Sequence, residues 1–168
     1  MRVLVLVAVL SLQTSLALAQ QASTQSPSIQ TMKSYASSAE VAAVVAKLKS
    51  ERKESQPLAA QSLLRLAPYN VSIEYRVTVG PAAIHDRDAE LFYVIDGAAT
   101  LVTGGTLANG KRTNAENQSG TAIDGGSHQE IAKGDFVIVP EGVAHWFSAI
   151  RGSVTLMSLH LPRSTSQK

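Results

Sequence analysis

Residues 134–149 read GDFVIVPEGVAHWFSA, and this stretch decides the fold. Phe136 to Val139 form a short apolar run rich in β-branched residues, which suits a strand in a sheet. Pro140 lacks an N–H and Gly142 tolerates positive φ, so together they end that strand in a tight turn. A second β-like run begins at once with His145, Trp146 and Phe147. Side chains alternate along a strand, so His145 and Phe147 share one face and Trp146 takes the other. The turn thus delivers a histidine to the start of a strand, beside an aromatic on the same face.

Upstream, residues 80–97 read GPAAIHDRDAELFYVIDG and form a complementary segment, in which a histidine and a carboxylate precede an apolar strand closed by glycine. Glu90, Phe92 and Val94 fall on one face, with Leu91, Tyr93 and Ile95 opposite. His85 and Glu90 are an odd number of residues apart, so they face the same way only if the chain kinks between them, at Asp86-Arg87-Asp88. Outward from these segments, LLRLA (63–67), VSIEYRVTV (71–79), ATLVT (99–103) and SVTLMSLHL (153–161) are further short β-like runs bounded by Gly, Pro or Asp-Gly. Many short strands without interposed helices predict an all-β sandwich or closed barrel.

The two segments resemble the paired motifs of the cupin superfamily. The second matches the pattern G-x5-P-x-G-x2-H at Gly134, Pro140, Gly142 and His145, with Ala149 where the longer pattern has Asn. The first matches at Glu90 and Gly97 and carries one histidine where the family usually has two. The resemblance implies a double-stranded β-helix, or jelly-roll barrel, and a homodimer, with the strand over 71–79 and an N-terminal helix as candidate contacts. It also implies that His85, Glu90 and His145 meet inside the barrel.

Two imidazoles and one carboxylate, with positions left open, suit Fe(II), Mn(II), Ni(II) or Zn(II). A cation would account for a carboxylate inside an apolar barrel, since a buried charge must be paired. If His85 is the second histidine of the usual pair, Ala83 holds the first place; if it is the first, Arg87 holds the second, and an inward guanidinium would favour an anion. Asp86, Asp88 or water would complete the sphere. The competing reading is a metal-free barrel whose polar lining bonds to itself. Phe92, Tyr93, Arg87, Trp146 and Phe147 are the candidate pocket residues for a small-molecule ligand or substrate. His128 is expected on a solvated loop. His160 is expected at a strand end, and joins the ligands only if the last strand turns its face inward.

The remaining sequence sets the boundaries. Residues 1–19, MRVLVLVAVLSLQTSLALA, have the order of a secretory signal: an early Arg2, a short apolar run and small residues before a cleavage point after Ala19. This predicts a secreted or periplasmic protein, and the apolar run is too short for a stable membrane anchor. Residues 20–36 read as a disordered leader. Ser37 and Glu40 form a capping box ahead of Val41, Val44, Val45 and Leu48 on one helical face, predicting an amphipathic helix within 37–56. The barrel is assigned to 57–163 and a tail to 164–168. Within the barrel, the polar, glycine-rich stretch 103–127 is expected to be a long loop, either a lid or merely mobile.

No cysteine occurs, so export would bring no disulfides and no thiol can serve as nucleophile or ligand. Without Arg2 the chain carries 14 basic against 13 acidic residues, which leaves no footprint for nucleic acid. A G-x-S-x-G elbow, a P-loop and a G-x-G-x-x-G fingerprint are all absent.

Overall fold

The computed structural model describes residues 32–163; the signal segment 1–19, most of the leader and the tail 164–168 lie outside the described residues. Helix α1 spans Ser38–Glu51 behind a complete capping box: Ser37 Oγ accepts from the Glu40 amide and the Glu40 carboxylate accepts from the Ser37 amide. The strands are β1 (Leu58–Leu66), β2 (Tyr69–Arg76), β3 (Ala82–His85), β4 (Asp88–Thr103), β5 (Thr106–Ala108), β6 (Lys111–Arg112), β7 (Asn117–Gly120), β8 (Ala122–Asp124), β9 (Ser127–Ala132), β10 (Phe136–Val139) and β11 (His145–Pro162). All their pairings are antiparallel, so the described residues form an all-β jelly roll with one helix.

Two long strands organise the barrel. β4 and β11 pair along most of their length, from His145 opposite Thr103 to Pro162 opposite Asp88. The first half of β4 also pairs with β10 and the second half with β9. β11 continues the sheet to β2 and, at His145, to β3. The pattern of short runs had placed a turn at Asp96-Gly97, yet the chain passes through it as one strand. Gly97 has φ +82°, and a Cβ there would collide with the Ser153 carbonyl. Glycine therefore bends the strand instead of reversing it, as at a β-bulge. Gly152, also at positive φ, lies where the β4 register slips between Ile150 and Val154 on β11.

Alternation sorts the side chains into two layers. Phe92, Val94, Leu101, Phe147, Val154 and Leu156 fill the barrel interior. On the outer face of β1 and β2, Leu48 of α1 packs against Leu63 and Ile73, with Val41, Val44 and Val45 alongside. The helix thus buries the face expected from its apolar periodicity. β2, expected as a dimer contact, lies between β1 and β11 with its outer face under α1, so neither its edge nor that face is free for a partner.

The stretch 103–127 is not a structureless loop. It contains β5 to β8, with β7 pairing β3 and β5 pairing β8. Ile123 is buried, with Leu107 packed against its cluster, while glycine pairs at 104–105 and 125–126 take positive φ at both ends. Two apolar anchors and strand-edge pairing were enough to order a segment whose composition reads as loop.

Candidate metal centre

Three pieces of backbone bring the candidate ligands together. β3 ends at His85 and β4 begins at Asp88, so the kink expected between His85 and Glu90 falls at residues 86 and 87. After β10, Val143 N–H donates to the Pro140 carbonyl (3.2 Å), closing the turn that leads to His145. Gly142, at φ +74°, sits inside that turn and donates its N–H to the His85 carbonyl at 2.8 Å. This bond joins the β4–β10 pairing, Val139 opposite Glu90, and the His145–Ala83 pairing in tying the two sequence segments together at the site.

Glu90 is the centre of the cluster and only 4% exposed. Its Oε2 lies 3.2 Å from His85 Nε2 and 3.0 Å from His145 Nε2. Donors at about 2.0–2.2 Å from one ion, at angles between right and tetrahedral, stand about 2.8–3.6 Å apart. The observed spacings fit ligands on one coordination sphere and equally fit hydrogen bonds from the imidazoles to the carboxylate. His85, Glu90 and His145 each offer a donor atom within 4.8 Å of the others.

Surrounding groups fix the donors. Asn117 on β7 sits 2.5 Å from His85 Nδ1 through Oδ1, while its Nδ2 donates to Asn114 Oδ1 at 3.0 Å. The second bond sets which way the amide faces, so Oδ1 accepts from His85 Nδ1–H and the Nε2 lone pair of the neutral ring points at the centre. Metal-ligating histidines characteristically have this outer partner. Ser158 Oγ donates to Glu90 Oε1 at 2.6 Å. Burial opposes the charge on Glu90, but the imidazoles of His145 and His85 and the Ser158 hydroxyl outweigh it and hold the carboxyl far below its ordinary value. Burial likewise works against protonation of His85, yet its bonds to Glu90 and Asn117 win and raise its pKa. His145 Nδ1 is buried without a hydrogen-bond partner among the described residues, a cost that the interactions at Nε2 must offset.

The structure adds a residue left at the margin of the sequence reading. His160 stands directly opposite Glu90 in the β4–β11 register, with its ring on the barrel side. Its Nε2 is 3.5 Å from Glu90 Oε1, and its ring centroid is 4.8 Å from that of His85. The alternation that places Leu156 and Ser158 inward carries His160 inward too, which is the condition the sequence had set for a fourth ligand. His128, on β9, is exposed.

The five pocket candidates separate. Trp146 and Phe147 line a cavity of about 270 Å³ that opens onto His85, Glu90, His145 and His160. Phe92 is fully buried beneath it, 5.9 Å from the His145 ring. Tyr93 falls on the outer face against Phe136, as alternation requires. Arg87 is at the outward kink, paired with Glu116 at 3.6 Å, so no guanidinium enters the centre from that position. The cavity instead holds Glu74 and Arg76 of β2, which the sequence reading passed over. Their signal was present: in VSIEYRV the charged residues alternate with the apolar ones that face α1.

The Cupin family model matches residues 54–167. No curated protein sequence matches the chain. Among solved structures, KdgF from Halomonas sp. is similar at 15% identity and TM-score 0.49, over 68% of this chain and 86% of that one. The cupin domain of Schizosaccharomyces pombe Cnp3 is similar at 14% identity and TM-score 0.45, over 65% of this chain and 63% of that domain. The FeII form of HppE is similar at 18% identity and TM-score 0.47, over 66% of this chain and 53% of that one. Likeness at this level says nothing about substrate. With the family match extending from the end of α1 through the last strand, and both motif segments built into one jelly roll, the chain belongs to the cupin family.

Proposed function

We propose that this chain is an exported cupin that binds one divalent metal ion, Fe, Mn, Ni or Zn, through His85, Glu90 and His145, with His160 beside the centre, and acts on a small molecule in the adjoining cavity. The observation that carries the proposal is the convergence of three donors on one point with a buried carboxylate at its centre. A divalent ion held there supplies Lewis-acid or redox chemistry of the oxygenase or isomerase type. Asn117 holds the His85 tautomer, Ser158 orients Glu90, and Phe92 and Phe147 give the site a dry floor.

The test is metal content by mass spectrometry on protein purified without a histidine tag. Near-stoichiometric metal that is lost in His145→Ala and retained in His128→Ala supports the proposal; no metal in the wild type rejects it. A second reading, a non-catalytic ligand-binding or sensing module without metal, is favoured by one feature. Glu90 already receives Ser158 Oγ and lies against two imidazoles, so its charge is matched internally.

Export rests on residues 1–19, and N-terminal sequencing of the exported protein should begin at Gln20. Among the described residues no helix is long and apolar enough to cross a membrane. Homodimerisation is part of the proposal, with Phe136 and Ile138, 65% and 57% exposed on β10, as the apolar surface in its support. Sedimentation equilibrium decides it.

A further inference from the structure

Arg76 is an unusual residue to place in the mouth of a small barrel. β2 points Ile73 at α1, so Glu74 and Arg76 project to the barrel side, where their side chains are 12% and 15% exposed. Arg76 donates through Nε and Nη2 to the same Glu74 oxygen, at 3.0 and 2.7 Å, and its guanidinium carbon lies 4.6 Å from the Phe147 ring centroid. Nη1 has no hydrogen-bond partner among the described residues, although a guanidinium has five donors to satisfy. Gly80 stands beside Nη1, and a Cβ added there would just reach contact with it at 4.0 Å, so glycine keeps a side chain from covering that nitrogen. Trp146 Nε1 pins the rim by donating to the Gly80 carbonyl at 2.9 Å.

A buried ion pair is a weak source of stability, because desolvation consumes most of the attraction. The Glu74–Arg76 pair therefore makes more sense as a holder that fixes a guanidinium with its Nη1–Nη2 edge turned to the cavity, ready for a planar anion. We infer that the cavity takes a small carboxylic acid, its carboxylate on Arg76 and an oxygen at its other end, hydroxyl or carbonyl, directed at the His85–Glu90–His145 centre. The inference rests on the metal reading above only for the second half of that statement. Phe147, under Arg76, is two residues from His145 on one strand face, about 7 Å along β11. The ligand is thus a short acid spanning roughly that distance, in keeping with a 270 Å³ cavity at the small end of ligand sites. Charge agrees: Glu74 cancels Arg76, and a divalent ion against Glu90 leaves one positive charge, which a monoanion neutralises.

The test uses 4-hydroxybenzoate and 5-oxohexanoate, each beside its uncharged amide, titrated by calorimetry into metal-free and Mn(II)-loaded protein. Each acid should bind at least tenfold more tightly than its amide. The double variant Glu74→Gln/Arg76→Gln, which removes both charges and leaves neither orphaned, should lose that preference while keeping its Mn(II) affinity and circular dichroism. Glu74→Gln alone, which frees Arg76, should bind the acids at least as tightly as wild type. If neither pair shows an acid preference, or if the double variant retains it, Arg76 is a structural residue and the inference is overturned. Failure of Mn(II) to bind would instead strike the metal reading, and the acid preference in metal-free protein would still be measured.

Discussion

Replacing Glu90 by Gln is the sharpest perturbation of the centre. The change keeps size and shape, so Ser158 Oγ can still donate to the side-chain oxygen now 2.6 Å away. What it removes is the negative charge, which the neighbouring imidazoles and the Ser158 hydroxyl maintain at neutral pH against the opposition of burial. Altering an outer partner of a metal ligand typically costs 10–100-fold in affinity. In the proposed centre Glu90 is the anionic ligand itself, so its loss should cost more than about 100-fold, equivalent to about 2.7 kcal/mol. The amide also presents an N–H₂ to two imidazoles 3.0 and 3.2 Å from Oε2, which pins one ring nitrogen as acceptor and competes with the ion. Competition titration of Mn(II) or Zn(II) against a chromophoric chelator, on metal-free wild type and variant, measures the ratio. Circular dichroism shows whether the barrel is intact. An intact Glu90→Gln protein that binds metal within threefold of wild type would refute the argument that Glu90 is a ligand.

Asn117→Ala should leave all ligands in place but free the His85 ring, lowering metal affinity by about 10–100-fold without changing the stoichiometry; the same chelator assay checks this. Stability of the metal-free protein should depend on pH in two windows, read from thermal denaturation. Glu90 is lowered in the folded state from 4.5, so its contribution is present above about that pH and is lost as pH falls toward the lowered value. His85 is raised from 6.5, so its contribution is present below that pH and is lost as pH rises through the raised value; metal binding, which needs the neutral ring, should weaken in that same acid range. Ser37→Ala removes the cap of α1 and should cost about 1 kcal/mol, seen as a lower Tm with unchanged metal affinity.

By itself the sequence determined the elements whose signals are local. The Ser37–Glu40 box announced the start of α1 because capping is a contact between residues three apart. The spacing of Gly134, Pro140, Gly142 and His145 announced a turn that hands a histidine to a strand, because Pro and Gly act on their own dihedrals. Alternation assigned faces correctly to Glu90, Phe92, His145 and Phe147 for the same reason. Tertiary structure decided whatever depended on which strands became neighbours. It set His160 opposite Glu90 through the β4–β11 register, which no local pattern encodes. It drew Asn117 out of a stretch that reads as loop and onto His85, by pairing β7 with β3 across 32 residues of chain. It turned Arg87 outward and Arg76 inward: the bend at residues 86–87 set the first, and burial of the opposite face of β2 beneath α1 set the second.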